Sequence, residues 1–206
     1  VYVFGFLPDQ QVRRIVRYAV AAGHSRIGAL VPSSGFGELV VASARIAAEQ
    51  TGVSVVRATY YDPSDTELSP LVREFADYDS RKSLLAAQKR LLSGKTDQIS
   101  RQALSRLAGL ETLGDPPFDS VLLPAGDPEL RGIAPLLAYY DVDPARIRLL
   151  GTALWDEARG LEAEPALFGG WYAAPAPESR LIFEEKFERA FTRRPPRLAS
   201  LGYDAM

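Results

Sequence analysis

Arg26-Ile-Gly-Ala-Leu-Val-Pro32, followed directly by Ser33-Ser34-Gly35-Phe36-Gly37, is the stretch on which the reading of this 206-residue chain turns. The apolar run is too short for a buried helix and has no polar alternation, so it suits a strand covered on both faces, as in parallel sheets. The serines after it are helix-capping residues, and the glycines permit a tight turn. The segment therefore reads as strand, loop and helix, with the helix starting near Gly35 and stopping at Gly52. Parallel strands need a crossover between them, most often a helix, so the same alternation is expected on both sides.

Upstream, residues 10–22 place Val12, Ile15, Val16 and Ala19 at helical spacing and end at Gly23. Val1-Tyr-Val-Phe-Gly-Phe6 already reads as a strand, which leads us to expect further polypeptide before Val1. Downstream, residues 53–58 read as a strand, Asp62-Pro-Ser-Asp65 as a turn, and residues 67–76 as a helix carrying Leu68, Leu71, Val72 and Phe75 on one side. Phe118-Asp-Ser-Val-Leu-Leu-Pro124 and Ile147-Arg-Leu-Leu-Gly151 restore the strand pattern around a helix over residues 128–139. Leu167-Phe-Gly-Gly-Trp-Tyr-Ala173 reads as a further strand whose Gly169-Gly170 marks a bulge or a close backbone approach. Residues 178–191 form a helix with Phe183, Phe187 and Phe191 on one face, Pro195-Pro196 stops the chain, and residues 198–206 begin another helix. The expected fold class is α/β, a Rossmann-like parallel sheet flanked by helices, with residues 27–31, 53–58, 121–123 and 147–150 as interior strands.

Residues 80–113 interrupt the alternation with two helical segments separated by Ser93-Gly94. Arg81, Lys82, Lys89, Arg90, Lys95, Arg101 and Arg106 give this helical insertion a basic surface, and Asp97 is its only acid between Arg81 and Arg106. Leu84, Leu85, Leu91, Leu92, Leu104 and Leu107 are expected to pack inward and leave the cations outside. A charge run is ordinarily a solvated face; the functional reading is contact with an acidic partner, with Arg81, Lys82, Lys89 and Arg90 as candidate partner-binding residues.

Composition narrows the chemistry. The formal net charge of −2 gives no general basic field for a phosphate backbone, which argues against a dedicated nucleic-acid binder. The absence of cysteine removes disulfides, thiolate zinc sites and cysteine nucleophiles. The apolar runs fall far short of the roughly 20 residues that span a bilayer. His24 is the only histidine and follows a helix end, where the dipole accounts for it, and no carboxylates pair convincingly. Gly35-Phe-Gly37 fails the dinucleotide fingerprint because Val40 stands where a third small residue belongs, and Gly94-Lys95-Thr96 follows a helix, with Lys89 where a phosphate loop needs glycine. The sequence calls for no enzyme activity, no cofactor and no metal.

The order of elements, with Pro8-Asp-Gln-Gln-Val12, Gly35-Phe-Gly37 after its strand, Phe118-Asp-Ser-Val-Leu-Leu123 and Pro196-Arg-Leu-Ala-Ser-Leu-Gly-Tyr-Asp-Ala205, resembles the type I periplasmic-binding-protein fold of branched-chain amino-acid receptors. Leu136-Leu-Ala-Tyr-Tyr-Asp-Val-Asp-Pro144, Leu150-Gly-Thr-Ala-Leu-Trp-Asp156, Gly169-Gly-Trp-Tyr-Ala-Ala-Pro175 and the basic insertion most resemble penicillin-binding-protein activators, periplasmic lipoproteins that stimulate a peptidoglycan synthase. The resemblance implies that residues 1–194 form a second lobe and that residues 195–206 begin the return to a first lobe. It also implies a periplasmic, non-enzymatic module anchored to the outer membrane through an upstream lipidated cysteine, acting by contact with the synthase. The alternative it leaves is the substrate-binding protein of an ABC transporter for branched-chain amino acids.

The candidate interlobe ligand residues are Ser33, Ser34, Phe36, Asp127, Trp155 and Asp156. The first loop sits where a helix N-terminus receives an anion, although Ser33 or Ser34 can equally be a simple cap. The loops at 125–128 and 152–156 correspond, by resemblance, to second-lobe ligand loops of amino-acid receptors. Here the first has Asp127 without a tyrosine and the second has Trp155 and Asp156, so free amino acids are expected not to stabilise the protein. Trp155 either stacks on a ligand or packs as structure, closing the cleft.

Overall fold

A computed structural model of the protein describes residues 7–158, 160–174 and 177–193, together with Pro195 and Ala199. Its sheet consists of parallel strands β1 (Arg26–Pro32), β2 (Ser54–Tyr61), β3 (Ser120–Leu122), β4 (Arg148–Gly151) and β5 (Trp171–Tyr172), in the order β2-β1-β3-β4-β5. The helices are α1 (Pro8–Ala21), α2 (Gly35–Gln50), α3 (Ser69–Phe75), α4 (Tyr78–Ser93), α5 (Gln98–Leu107), α6 (Glu129–Tyr139) and α7 (Pro177–Phe191). The expected strand at residues 1–6, the proline stop at Pro196 and the helix at 198–206 lie outside the described residues.

Strand side chains alternate between two faces, and here both faces are cores. Ile27, Ala29, Val31, Leu122 and Leu150 point to one side, where α1 brings Val12, Ile15, Val16 and Ala19 and α2 brings Val40, Val41, Ala44, Ala47 and Ala48. Leu30, Val121, Leu123 and Leu149 point to the other, onto Val72 and Phe75 of α3 and Leu130, Ile133, Ala134 and Leu137 of α6. This three-layer arrangement is why the strands read as unbroken apolar runs. Gly28 is part of the second core: a Cβ there would stand 2.8 Å from Cδ1 of Phe118, whose ring stacks on Phe75 at 4.7 Å.

Three expectations need correction. Residues 53–58 are not interior, because β2 is the end strand among the described residues; with one neighbour only, it leaves Val56 and Tyr60 about two-fifths exposed. The strand expected over 167–173 shrinks to Trp171–Tyr172, since 3₁₀ turns at Leu161–Ala163 and Pro165–Leu167 occupy the approach and Gly169, at φ 73°, turns the chain.

The third concerns the insertion, which is indeed a helical hairpin of α4 and α5 but is not uniformly basic outside and apolar inside. Arg81 is buried, and it ties the hairpin to the lobe. Its guanidinium donates to the Asp141 carboxylate at 2.8 Å, to the Gly114 carbonyl at 3.1 Å and to the Asp141 carbonyl at 3.3 Å, while Thr112 also donates to that carboxylate. Burial lowers the guanidinium's pKa and the Asp141 charge opposes that shift. Arg81 shares its helix stripe with buried Tyr78 and Leu85, which is why it faces inward. Conversely, of the six leucines expected inside only Leu85 is buried; Leu92, Leu104 and Leu107 are half-buried, and Leu84 and Leu91 are 57% and 68% exposed.

Candidate ligand-binding edge of the sheet

In the order β2-β1-β3-β4-β5 the chain leaves β1 towards one side of the sheet and β3 towards the other. The loops after these two strands diverge, and in open α/β sheets ligands bind in the crevice this opens at the carboxyl edge.

The rim on the β1 side is the Ser33–Gly37 loop. The Ser33 N–H donates to the Tyr61 carbonyl at 2.7 Å, pinning the loop to the end of β2. Ser34 caps α2, its hydroxyl accepting from the Gly37 N–H at 3.3 Å, so the simple capping role is present. The N–H groups of Gly35 and Phe36 open the helix, where no intrahelical acceptor exists for them and the dipole favours an anion. Ser33 and Ser34 are exposed, whereas Phe36 is half-buried against the α1–α2 core. Gly37 has no room for a side chain, because a Cβ would drive into the Pro32 carbonyl oxygen.

On the β3 side, Leu123, Pro124 and Ala125 are buried and the chain surfaces at Asp127, whose peptide bond to Pro128 is cis. One turn into α6, the Arg131 Nε lies 3.0 Å from the Asp127 carboxylate. Tyr61, ending β2, is buried beside this helix start; its phenol is pushed up to about 12 by burial and, secondarily, by the Glu129 charge. Among the described residues its hydroxyl has no hydrogen-bond partner, so it is held by packing.

The loop after β4 is organised around Trp155. Its indole N–H donates to the Leu123 carbonyl at 3.0 Å, and the ring lies over Gly151 and Gly170, which leave it the necessary space. At 3% exposure Trp155 belongs to the core beneath the edge and does not line it. Asp156 is half-buried and accepts from the Tyr172 hydroxyl at 3.4 Å. The Gln11 side chain accepts from the Ala153 N–H at 2.8 Å, so α1 also fixes this loop.

The structure thus places Ser33, Ser34, Phe36 and Asp127 on the two rims, Asp156 behind them and Trp155 below. Gln11, Tyr61 and Arg131 were missed. Arg131 carried a signal, the i,i+4 spacing from Asp127, while Gln11 carried none. Lys82, Lys89 and Arg90 sit on α4, on the insertion, with the Lys82 ammonium 5.4 Å from the Tyr78 ring centre. A cavity of about 530 Å³ opens elsewhere, between α3 and the start of α4, lined by Ser69, Arg73, Asp77 and Tyr140. Among the described residues no group of three or more histidine or acidic side chains is placed to hold a metal, and no helix is long and apolar enough to cross a membrane.

Solved structures with this arrangement exist. A solute-binding protein of an ABC transporter from R. palustris, in complex with benzoate, superposes with a TM-score of 0.61 at 17% identity over 98% of this chain. The fold is that of type I periplasmic binding proteins. The family model described as periplasmic binding protein matches residues 1–99. A protein of Rhodospirillum rubrum described as a branched-chain amino acid ABC transporter shares the periplasmic-binding-protein fold with a TM-score of 0.59 at 12% identity over 98% of this chain. An ABC transporter substrate-binding protein from Desulfitobacterium hafniense, in complex with Leu, gives 0.54 at 15% identity over 96%. The chain spans less than half of each of these proteins, 46%, 48% and 47% respectively. At these identities the likeness speaks for the fold alone. No curated protein matches the sequence.

Proposed function

We propose that this chain is a ligand-binding lobe of a periplasmic solute receptor, taking a small organic carboxylate at the carboxyl edge of its sheet. The observation that carries the reading is the exposed Ser33-Ser34 loop on the α2 N-terminus, facing the crevice at the switch between β1 and β3. A carboxylate fits the N–H groups of Gly35 and Phe36, and the Ser33 hydroxyl adds a donor. Phe36 offers an apolar surface beside them. The acids that an amino-acid ligand's ammonium would need are engaged: Asp127 with Arg131 and Asp156 with Tyr172. A carboxylate without an ammonium therefore suits the edge better than a free amino acid. The neighbours are in keeping with this range, one holding benzoate and one Leu.

The test is a thermal-shift series with benzoate, 4-hydroxybenzoate and leucine at millimolar concentration. A ligand at a hundredfold excess over its Kd stabilises by about 2.7 kcal/mol, which for a chain of this size raises Tm by roughly 5–10 °C. Stabilisation by an aromatic acid and not by leucine supports the reading. Stabilisation by leucine alone moves the assignment to an amino-acid receptor. The local phrases in the 136–144, 150–156 and 169–175 segments favour a second reading, activation of a peptidoglycan synthase by direct contact. Binding of a purified synthase at micromolar Kd, with no response to any of the three ligands, would replace the first reading by the second.

A further inference from the structure

The hairpin of α4 and α5 presents an apolar groove to solvent on a surface of net positive charge. The groove, about 350 Å³, is lined by Leu92, Ile99, Ala103, Leu107 and Leu113 together with Gln88, Gln102 and Arg106. Ile99 is 79% exposed, and on α4 Leu91, next to Leu92, and Leu84, two turns before it, add exposed apolar surface at 68% and 57%. Leu84 and Leu91 lie seven apart on α4, and Ile99, Ala103 and Leu107 lie four apart on α5, so each helix carries an apolar stripe. Exposed clusters of this kind are uncommon on isolated surfaces and mark contact sites.

Charge identifies the occupant. Residues 78–113 hold seven Lys and Arg against Asp79, Asp97 and Glu111, a surplus of four positive charges in a chain whose total is −2. Asp97 is exposed but engaged as the cap of α5, its carboxylate accepting from the Ser100 N–H at 2.9 Å and from the Ser100 hydroxyl at 2.7 Å, and these hydrogen bonds hold its pKa below the ordinary value. Arg81 is spent on Asp141, but Arg106 lines the groove and exposed Lys95 lies in the connection between α4 and α5. A groove with an apolar floor and cationic margins fits an amphipathic helix whose polar face is acidic. A polyanionic wall polymer would leave Ile99, Leu91 and Leu84 in water, so the apolar stripe favours a protein segment.

We propose that the α4–α5 hairpin docks an acidic amphipathic helix of a partner protein in the groove between Leu91, Leu92, Ile99 and Ala103. The inference is independent of what the sheet edge binds. It reassigns the partner surface from Arg81, Lys82, Lys89 and Arg90, as read from sequence, to the opposite flank of α4 and its seam with α5.

The experiment is site-specific photocrosslinking of the full-length protein in its native cells, with a benzophenone amino acid at Ile99, at Leu91 or, as a control, at exposed Tyr139 on α6. The expected result is one adduct shared by the Ile99 and Leu91 positions and absent from the Tyr139 position. Its crosslinked segment is amphipathic with net negative charge. The yield falls at least fivefold when Lys95→Glu and Arg106→Glu are introduced together, while the thermal melt of that double variant matches the parent. Four results would each overturn the proposal: no adduct above the control, an adduct with the mass of two copies of this chain, a crosslink to a basic segment or to a glycan, or a yield indifferent to the charge reversal.

Discussion

Replacing Arg81 by methionine keeps the apolar stem and removes the guanidinium, so its effect isolates the polar tie between the hairpin and the lobe. In the native protein the head group is almost fully buried, 4% exposed, while its partner Asp141 is 40% exposed. Asp141 can therefore recover water when the cation is lost, which keeps the cost below the upper end of the 3–5 kcal/mol typical of breaking a buried pair. Gly114 is exposed, so its carbonyl, bonded at 3.1 Å, can likewise turn to water, and its share is that of an ordinary hydrogen bond, about 0.5–1.5 kcal/mol. Together these place Arg81→Met at about 2–3 kcal/mol, or roughly 4–12 °C in Tm for a chain of this length. Urea titration followed by circular dichroism gives the value directly, with the midpoint moving and the slope unchanged. A double-mutant cycle with Asp141→Asn should show a coupling of about 1–2 kcal/mol. Lys82→Glu and Arg90→Glu, both exposed, should each stay within about 0.5 kcal/mol of the parent. If Arg81→Met also stays within about 0.5 kcal/mol, the guanidinium does not hold the hairpin and the argument from burial fails.

Gly37→Ala should destabilise by about 1–3 kcal/mol, because its methyl must displace the Pro32 carbonyl, and the same urea titration reads it; an unchanged midpoint would mean that the loop yields freely. Trp155→Phe loses the hydrogen bond to Leu123 and leaves part of the space over Gly151 unfilled, a loss of about 2–4 kcal/mol; tryptophan emission should redden, since half-buried Trp171 alone remains. Tyr61→Phe should be nearly neutral at pH 7, its hydroxyl having no partner to lose. The native phenol titrates near 12 against an ordinary 10.0, so the parent's stability is intact below pH 10 and falls as the pH climbs from 10 to 12. The drop is at most about 2.7 kcal/mol, and less once solvent screening weakens the secondary Glu129 contribution. Tyr61→Phe should remove it, and identical alkaline unfolding of parent and variant would refute the assignment.

Where local pattern and tertiary surroundings ask for the same thing, the sequence could be read directly. β1, β3 and β4 lie between two helix layers, so their apolar runs have a single interpretation, and the stripe Val12, Ile15, Val16, Ala19 fixes the buried face of α1. Reading failed where the decisive neighbour is remote. Arg81 looks like one more cation of a solvated helix until its phase with Tyr78 and Leu85 is weighed, and its partner lies 60 residues on. Trp155 looked like a cleft residue because nothing local announces that Gly151 and Gly170 make a slot for its ring. For β2 the apolar content was right, but position in the sheet depends on which strands flank it. At the edge itself Ser33, Ser34 and Asp127 were legible from the strand-to-helix turns that carry them, whereas Gln11 acts from a helix more than 140 positions away from Ala153.

The hairpin also has a base narrower than its body. The Leu113 N–H donates to the Arg81 carbonyl at 3.1 Å, so the chain returns beside the point where it set out before continuing towards β3. A peninsula joined by so slim an isthmus can lengthen, shorten or change its surface without the mainland's strands shifting register. Substitutions on the outer surface of the hairpin can therefore be made without moving the loops at the carboxyl edge of the sheet.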